Sequence, residues 1–195
     1  MRAALILALL PLGAVAQDLE GAIAACAGIE SRLDRLDCYD RLPGAFGISA
    51  GRSDWVVEQG TDPLNGMPLV TVTLTAREGR AAFGAPIRFV ARCRNDTTEV
   101  FVQWNSFLGA VQATQPVTLR IGDGAPEEAE WVLSDDREAT FTPDWGGTLL
   151  RRLAEGPQLV IETVPYDGEP LRAVFDTSGL AAAVQPLTEA CNWAL

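Results

Sequence analysis

Carboxylates are the side chains of this sequence that could do acid–base chemistry, because its 195 residues include no histidine and no lysine. Histidine is the usual general base for a serine or cysteine nucleophile, and lysine forms Schiff bases and serves in Ser-Lys dyads. The sequence excludes these mechanisms. An enzyme built on this chain would need a pair of aspartates or glutamates, as in glycoside hydrolysis.

The candidate carboxylates lie in one stretch of the second half: Asp123, Glu127, Glu128, Asp135 and Asp136. Neighbouring strand residues point to opposite faces, so Asp135 and Asp136 would not act as an acid and base pair. We interpret them as a solvated turn, with ligand binding as the alternative. The run IGDGAPEEAE lacks the spacing of a calcium loop, and the irregular cysteine spacing disfavours zinc. We expect no metal site and no cofactor.

Tryptophan and arginine supply the other candidate binding residues. Of the five tryptophans, Trp145 lies in a Pro-Asp-Trp-Gly-Gly loop and is the one we expect to be exposed, whereas the others suit a core. Arg92 and Arg94 fall on the strand face opposite Cys93, where Gln103 could oppose them. A solvent-facing cross-strand set is the interpretation we favour for these arginines, and a ligand site is the alternative.

The first sixteen residues predict a cleavable signal peptide. They contain Arg2, an apolar run and an Ala-Val-Ala sequence before Gln17, and the run is too short for a membrane span. Without Arg2, 14 arginines face 26 acidic residues, a formal charge of 14 − 26 = −12. This charge argues against nucleic acid and anionic membranes as partners and favours a basic protein. We expect a periplasmic protein with no membrane span after cleavage.

Four cysteines in an exported chain predict two disulfides, for which three connectivities exist. We favour Cys26 with Cys38 and Cys93 with Cys191. Twelve residues of continuous helix span about 18 Å, too far for a disulfide, so the first pair requires a helical hairpin. Gly28 can end its first helix and Ser31 can cap the second. We expect Ile23, Leu33, Leu36 and Leu42 to form the apolar contacts of this hairpin.

Alternating apolar and polar residues over 87–104 predict a central β-hairpin whose loop is Asn95-Asp96-Thr97-Thr98. Further strand-like segments are separated by Gly, Pro and Asp turns, and they lie at 55–58, 69–76, 117–121, 130–133, 139–141, 158–164 and 171–175. Helices are expected over 146–155 and 178–190, the latter with Ser178 as a cap. The pattern predicts a mainly β (α+β) fold, an antiparallel sandwich or barrel with a C-terminal helix. The expected organisation is a signal peptide (1–16), a disulfide-locked helical hairpin (17–45) and a β domain (54–195).

Four sequence blocks, in this order, resemble the VasI/TagO family of type VI secretion-associated proteins. They are Cys26…Arg32-Leu33…Cys38-Tyr39-Asp40-Arg41-Leu42; Arg92-Cys93…Asn95…Thr98-Glu99-Val100; Trp131…Ser134-Asp135…Ala139-Thr140-Phe141; and Phe175-Asp176…Gly179-Leu180…Cys191…Trp193. The resemblance implies an exported accessory protein encoded with a contractile injection apparatus. It supplies no catalytic motif.

Three functions follow as hypotheses. The first is a non-enzymatic periplasmic binding or assembly protein for type VI secretion, whose partners are envelope proteins such as membrane-complex subunits. The second is an acidic inhibitor of lysozyme-like cell-wall hydrolases, steered to a basic cleft by its charge. The third is a carboxylate-only hydrolase of envelope glycans, which needs two acids roughly 5 to 9.5 Å apart in a cleft.

Overall fold

The computed structural model describes residues 14–46, 53–166 and 168–195. The chain forms two compact units, Met1–Gly51 and Arg52–Leu195, which are described separately below. Residues 1–13 of the predicted signal peptide lie outside the described residues.

The N-terminal unit contains a pair of helices, α1 (Ala14–Ala27) and α2 (Arg32–Ala45). Ser31 caps α2 by accepting a hydrogen bond from the Asp34 N–H, as its position in the sequence predicts. A disulfide joins Cys26 to Cys38, whose Cα atoms are 5.6 Å apart. Of the apolar contacts that we expected inside this hairpin, Ile23, Leu33 and Leu36 are exposed. Two helices of this length enclose too little volume to bury a full apolar stripe.

The C-terminal unit is built from nine strands and two helices. The strands are β1 (Trp55–Thr61), β2 (Pro68–Arg80), β3 (Pro86–Arg94), β4 (Thr97–Gln103), β5 (Thr114–Ile121), β6 (Glu127–Leu133), β7 (Ala139–Phe141), β8 (Gln158–Thr163) and β9 (Leu171–Asp176). The helices are α3 (Gly146–Ala154) and α4 (Leu180–Ala190), and a short 3₁₀ turn spans Ala82–Gly84.

Eight of the strands close into an antiparallel barrel, in the order β2-β3-β4-β7-β6-β5-β8-β9. The barrel closes where Glu78 of β2 pairs with Val174 of β9. Strand β1 pairs with the first half of β2, on the same edge of β2 as β9. The long strand β2 therefore pairs with three neighbours, β1, β3 and β9. Of the two architectures that the sequence allowed, the structure has the barrel.

The central hairpin forms, with Arg92 opposite Glu99 and Cys93 opposite Thr98. Its turn is shorter than predicted, because Thr97 and Thr98 already belong to β4. Ile87, Phe89, Ala91 and Cys93 share the inward face and are buried. The largest fully buried side chains include Trp104, Trp131, Phe89 and Phe175. The alternation of this hairpin therefore builds the middle of the core.

Helix α4 is fastened to the barrel by the Cys93–Cys191 disulfide, whose Cα atoms are 5.8 Å apart. Leu180, Val184 and Leu187 form its buried stripe. We expected Ser178 to cap this helix, but the cap position is held by Gly179, whose φ is +82°. The Ser178 N–H instead donates to the Asp176 carboxylate. Pro186 lies within the helix without ending it.

Strand direction assigns the connecting segments to two ends of the barrel. Strands β2, β4, β6 and β8 run in one direction, because each pairs antiparallel with its neighbours. The loops that follow them form what we call the loop end: residues 81–85, 104–113, 134–138, 164–166 and 168–170. The opposite end, which we call the helix end, carries α3 and the turns at 62–67, 95–96 and 122–126.

Candidate functional site: a cleft at the helix end

A cleft of about 140 Å³ opens at the helix end, between α3 and strands β5 and β6. We call it the mouth cleft. Its lining residues are Leu119, Glu127, Ala129, Trp131, Thr142, Pro143, Asp144, Trp145, Thr148, Leu149 and Arg152. A neighbouring depression of about 570 Å³, lined from Ile121 to Asp123 and from Glu155 to Gln158 with Arg152, has no aromatic wall. The mouth cleft is therefore the one of the two suited to an apolar group.

The cleft exists because β6 places a small residue on its inward face. Glu127, Ala129 and Trp131 are alternate residues of β6, so they share one face of the strand and all line the cleft. Trp131 is buried. Ala129, although it lies on this face, remains exposed. The methyl side chain of Ala129 does not fill the space beneath α3, and the cleft remains open above Trp131.

Two glycines bring the start of α3 close to the barrel wall. A Cβ atom at Gly146 would lie 2.8 Å from Val100 Cγ2 and 2.9 Å from the Val100 backbone nitrogen. A Cβ atom at Gly147 would lie 2.4 Å from the Trp145 ring. The Gly-Gly sequence thus lets α3 begin against β4 while the Trp145 indole folds over the helix start.

Trp145 is 43% exposed, yet its orientation is fixed by neighbours. Its ring meets Trp193 edge to face at 5.0 Å, and the Arg151 guanidinium carbon lies 5.1 Å from the centre of each ring. Arg151 also donates to the Ala194 carbonyl, and Trp193 Nε1 donates to Thr98 Oγ1 at 2.7 Å. The exposed indole is therefore held in place before any partner arrives.

The charged groups of the cleft largely neutralise one another. Arg152 donates to Glu127 in an ion pair across the rim. Asp144 is exposed beside it, and its backbone carbonyl accepts a hydrogen bond from the Thr142 hydroxyl at 2.9 Å. Within the residues that the structure describes, no group of three acidic or cysteine side chains could hold a metal ion. The cleft therefore offers aromatic and aliphatic surface more than reactive groups.

Arg92 and Arg94 lie on the barrel wall, away from the cleft. Arg92 donates to Glu99 from Nε at 2.9 Å and from Nη2 at 2.6 Å, and it covers the Phe101 ring at 5.4 Å. Arg94 Nε approaches Asp62 at 3.8 Å. Gln103, which we expected opposite these arginines, pairs instead with Arg88 because of the hairpin register.

Asp135 and Asp136 lie at the loop end, in the turn between β6 and β7. Asp136 accepts a hydrogen bond from the Ser134 hydroxyl at 2.5 Å and another from the Glu138 N–H at 3.1 Å. These bonds lower the pKa of the Asp136 carboxyl below its usual 3.8. Asp136 thus stabilises its own turn.

The structure does not bring the five candidate binding residues into one site. Of those five, Trp145 is the one that lines the cleft. Trp131 and Leu149 line it too, although the sequence did not single them out as binding residues. The exposed Ala129 could not have been recognised from sequence, since its position beneath α3 depends on the closed barrel.

Among the described helices, none combines the length and apolar character needed to cross a membrane.

Comparison with known proteins places the barrel unit in a family. A structure similar to this one is the crystal structure of invasion associated protein b from Bartonella henselae, with a TM-score of 0.47 and 12% identity. The alignment covers 70% of this chain and 92% of that chain. No curated protein matches the sequence. Residues 53–193 match the family described as "Type VI secretion system VasI, EvfG, VC_A0118". The chain belongs to the VasI family of the type VI secretion system.

Proposed function

We propose that this protein is a non-enzymatic periplasmic accessory protein of type VI secretion, which binds an envelope subunit of the apparatus through the mouth cleft. The observation that carries the proposal is the fixed, exposed Trp145 above a cleft floored by Trp131. Tryptophans in such pockets dominate the binding energy of many protein interfaces.

The size of the cleft favours a single side chain over a whole ligand. Small-molecule sites usually measure roughly 300 to 1,000 Å³, whereas the mouth cleft measures about 140 Å³. An apolar side chain of a partner would contact Trp131, Leu149 and the Trp145 ring. Its flanking residues would meet the polar rim of Asp144 and the Glu127–Arg152 pair.

The arrangement of the rim supports a role in binding. A general acid in a glycosidase is a carboxyl group kept protonated by apolar surroundings. Glu127 is instead half exposed and paired with Arg152, and Asp144 is exposed. This arrangement favours the binding protein over the glycan hydrolase. Periplasmic location is supported by the two disulfides, which form in an oxidising compartment.

Affinity purification tests the proposal. The tagged protein would be expressed at its native level in the bacterium that makes it, purified from the periplasm and analysed by mass spectrometry. We expect type VI membrane-complex subunits to be retained by the wild type and lost with either of two variants. Trp145→Ala removes the exposed ring from the cleft wall, and Ala129→Leu fills the cleft. Val132→Ala, on the exposed outer face of β6, is the matched control and should retain them.

Two outcomes would contradict the proposal. Equal recovery with the cleft variants would show that the subunits bind elsewhere. Recovery of a lysozyme-like hydrolase without secretion components would favour the inhibitor hypothesis, which rests on the net charge of −11 of the full sequence.

A further inference from the structure

The loop end presents large apolar side chains to solvent from three different loops. Phe83 in the β2–β3 turn is fully exposed, and Tyr166 in the β8–β9 loop is 84% exposed. Phe107 and Val111 in the β4–β5 loop are exposed as well. Single exposed apolar residues are ordinary, but a group of them at one end of a barrel indicates an interaction surface.

Two of these side chains, those of Phe107 and Tyr166, line one depression. A cavity of about 600 Å³ is lined by Ala82, Phe107, Tyr166, Glu169 and Leu171, among others. Its walls therefore come from the β2–β3, β4–β5 and β8–β9 connections together. Phe83 follows Ala82, a lining residue of this cavity, directly in the chain.

Backbone conformation adds an independent observation at Phe83. Its φ of +57° and ψ of +21° are left-handed, a region in which a side chain costs about 1–2 kcal/mol. Glycine is the usual residue at such a position. A fully exposed phenyl ring there stabilises nothing within the barrel. Strain of this kind is concentrated at functional sites.

Hydrogen bonds connect the loops to one another and hold the surface in shape. The Tyr166 N–H donates to the Leu108 carbonyl at 3.0 Å, and the Leu108 N–H donates to the Arg137 carbonyl at 2.9 Å. Asn105 Nδ2 donates to the Pro86 carbonyl at 2.5 Å. Arg137 donates to the Gln112 carbonyl. The exposed rings thus sit on a connected frame, which lowers the entropy lost on binding.

Charge determines what can dock here. Asp135, Asp136, Glu138 and Glu169 lie in the same set of loops, and in the described part of the chain none of them has an ion-pair partner. The Arg137 guanidinium is already directed to a backbone carbonyl. An anionic bilayer or a second copy of this acidic end would be repelled.

We propose that the loop end is a second docking surface, which binds a protein segment whose apolar side chains are flanked by arginine or lysine. The apolar residues contact Phe107, Tyr166 and Phe83, and the basic residues pair with Glu169 and the β6–β7 carboxylates. Because the mouth cleft is at the opposite end, one molecule could hold a separate partner at each end at the same time.

Site-specific photo-crosslinking tests this surface. Benzoylphenylalanine would replace Phe83, Phe107 or Tyr166 in the full-length protein, in the bacterium that makes it, and crosslinked peptides would be sequenced by mass spectrometry. Phe101, a partly exposed aromatic on the barrel wall, is the matched control position. We expect the three loop positions to crosslink one shared partner peptide in which apolar residues adjoin Arg or Lys, at least tenfold more than Phe101.

Charge reversal and cleft variants make the result specific. Glu169→Arg with Glu138→Arg should reduce the crosslink yield at Tyr166 at least tenfold while the melting temperature stays within a few degrees. Trp145→Ala should leave that yield unchanged, so failure of the mouth cleft as a binding site would not affect this result. Crosslinks to lipid, to a second copy of the chain or to an acidic peptide, or yields no higher than at Phe101, would overturn the proposal.

Discussion

A Cβ atom at Gly79 would lie 2.0 Å from the carbonyl oxygen of Arg172, so β2 and β9 approach each other at a position that only glycine can occupy. The φ of Gly79 is +94°, and the register of β2 against β3 shifts between Thr75 and Arg80. This bulge bends β2 toward β9, beside the Glu78–Val174 pair that closes the barrel. Closure therefore depends on one residue without a side chain.

Gly79→Ala should destabilise the barrel by about 2–4 kcal/mol, because the left-handed backbone is strained and a backbone oxygen cannot move aside as a side chain could. Denaturant unfolding monitored by tryptophan fluorescence measures the loss. Gly66→Ala is the control: its φ is +72°, but nothing lies within 4 Å of the added methyl. It should cost only about 1 kcal/mol. Equal costs for the two variants would show that the close approach to Arg172 is not limiting.

Removal of the Cys93–Cys191 disulfide should destabilise the barrel unit by about 2–4 kcal/mol, since the bond closes a loop of 98 residues. The double variant Cys93→Ala/Cys191→Ala avoids a free thiol. Hydrogen exchange should increase most in α4, which the bond holds against β3. Cys26→Ala/Cys38→Ala is the matched control, and it should leave exchange in α4 unchanged. Faster exchange in the hairpin than in α4 after loss of Cys93–Cys191 would contradict this assignment.

Local features of the structure could be predicted from the sequence, because their causes are local. Alternation over 87–104 specified the central hairpin and the inward direction of Cys93. Ser31 marked the start of α2, and the disulfide pairing agrees with the structure. Trp145 was recognised as exposed because glycines and a proline surround it.

Features that depend on distant pairing could not be predicted in this way. Barrel closure joins Glu78 to Val174, nearly a hundred residues apart, and no local pattern distinguishes this pairing from the open edge of a sandwich. The mouth cleft depends on where Ala129 falls beneath α3. Leu33 and Leu36 form an apolar pair that a helical pattern assigns to an interior, although the hairpin leaves both exposed.

Phe83→Gly should stabilise the protein by about 0.5–1 kcal/mol, because glycine removes the strain of the left-handed backbone, partly offset by its greater freedom in the unfolded chain. The measurement is the free energy of unfolding in denaturant. Phe107→Gly, in the same group of exposed side chains but without a positive φ, is the control and should not stabilise. A loss of stability in Phe83→Gly would show that the ring packs against the barrel, which would remove the strain argument for the loop-end surface.

Acid should destabilise the barrel partly through Asp176, which links the end of β9 to neighbouring segments. Hydrogen bonds from the Ser178 side chain and backbone, together with the Arg77 guanidinium 2.6 Å away, lower the pKa of Asp176 below its usual 3.8. A carboxyl group whose pKa is lower in the folded state binds fewer protons there than in the unfolded chain, so its stabilisation is present above about pH 4 and is lost as the pH falls through the folded pKa. Asp176→Asn should therefore be less stable than the wild type at pH 7, and the difference should shrink as the pH approaches 2. Denaturant unfolding at pH 7, 4.5, 3 and 2 measures the free energy of unfolding of the wild type and of the variant. For both proteins this free energy should be nearly constant between pH 6 and 8, because the chain has no histidine. A difference that persists unchanged in acid would show that Asp176 acts through packing and not through its charge.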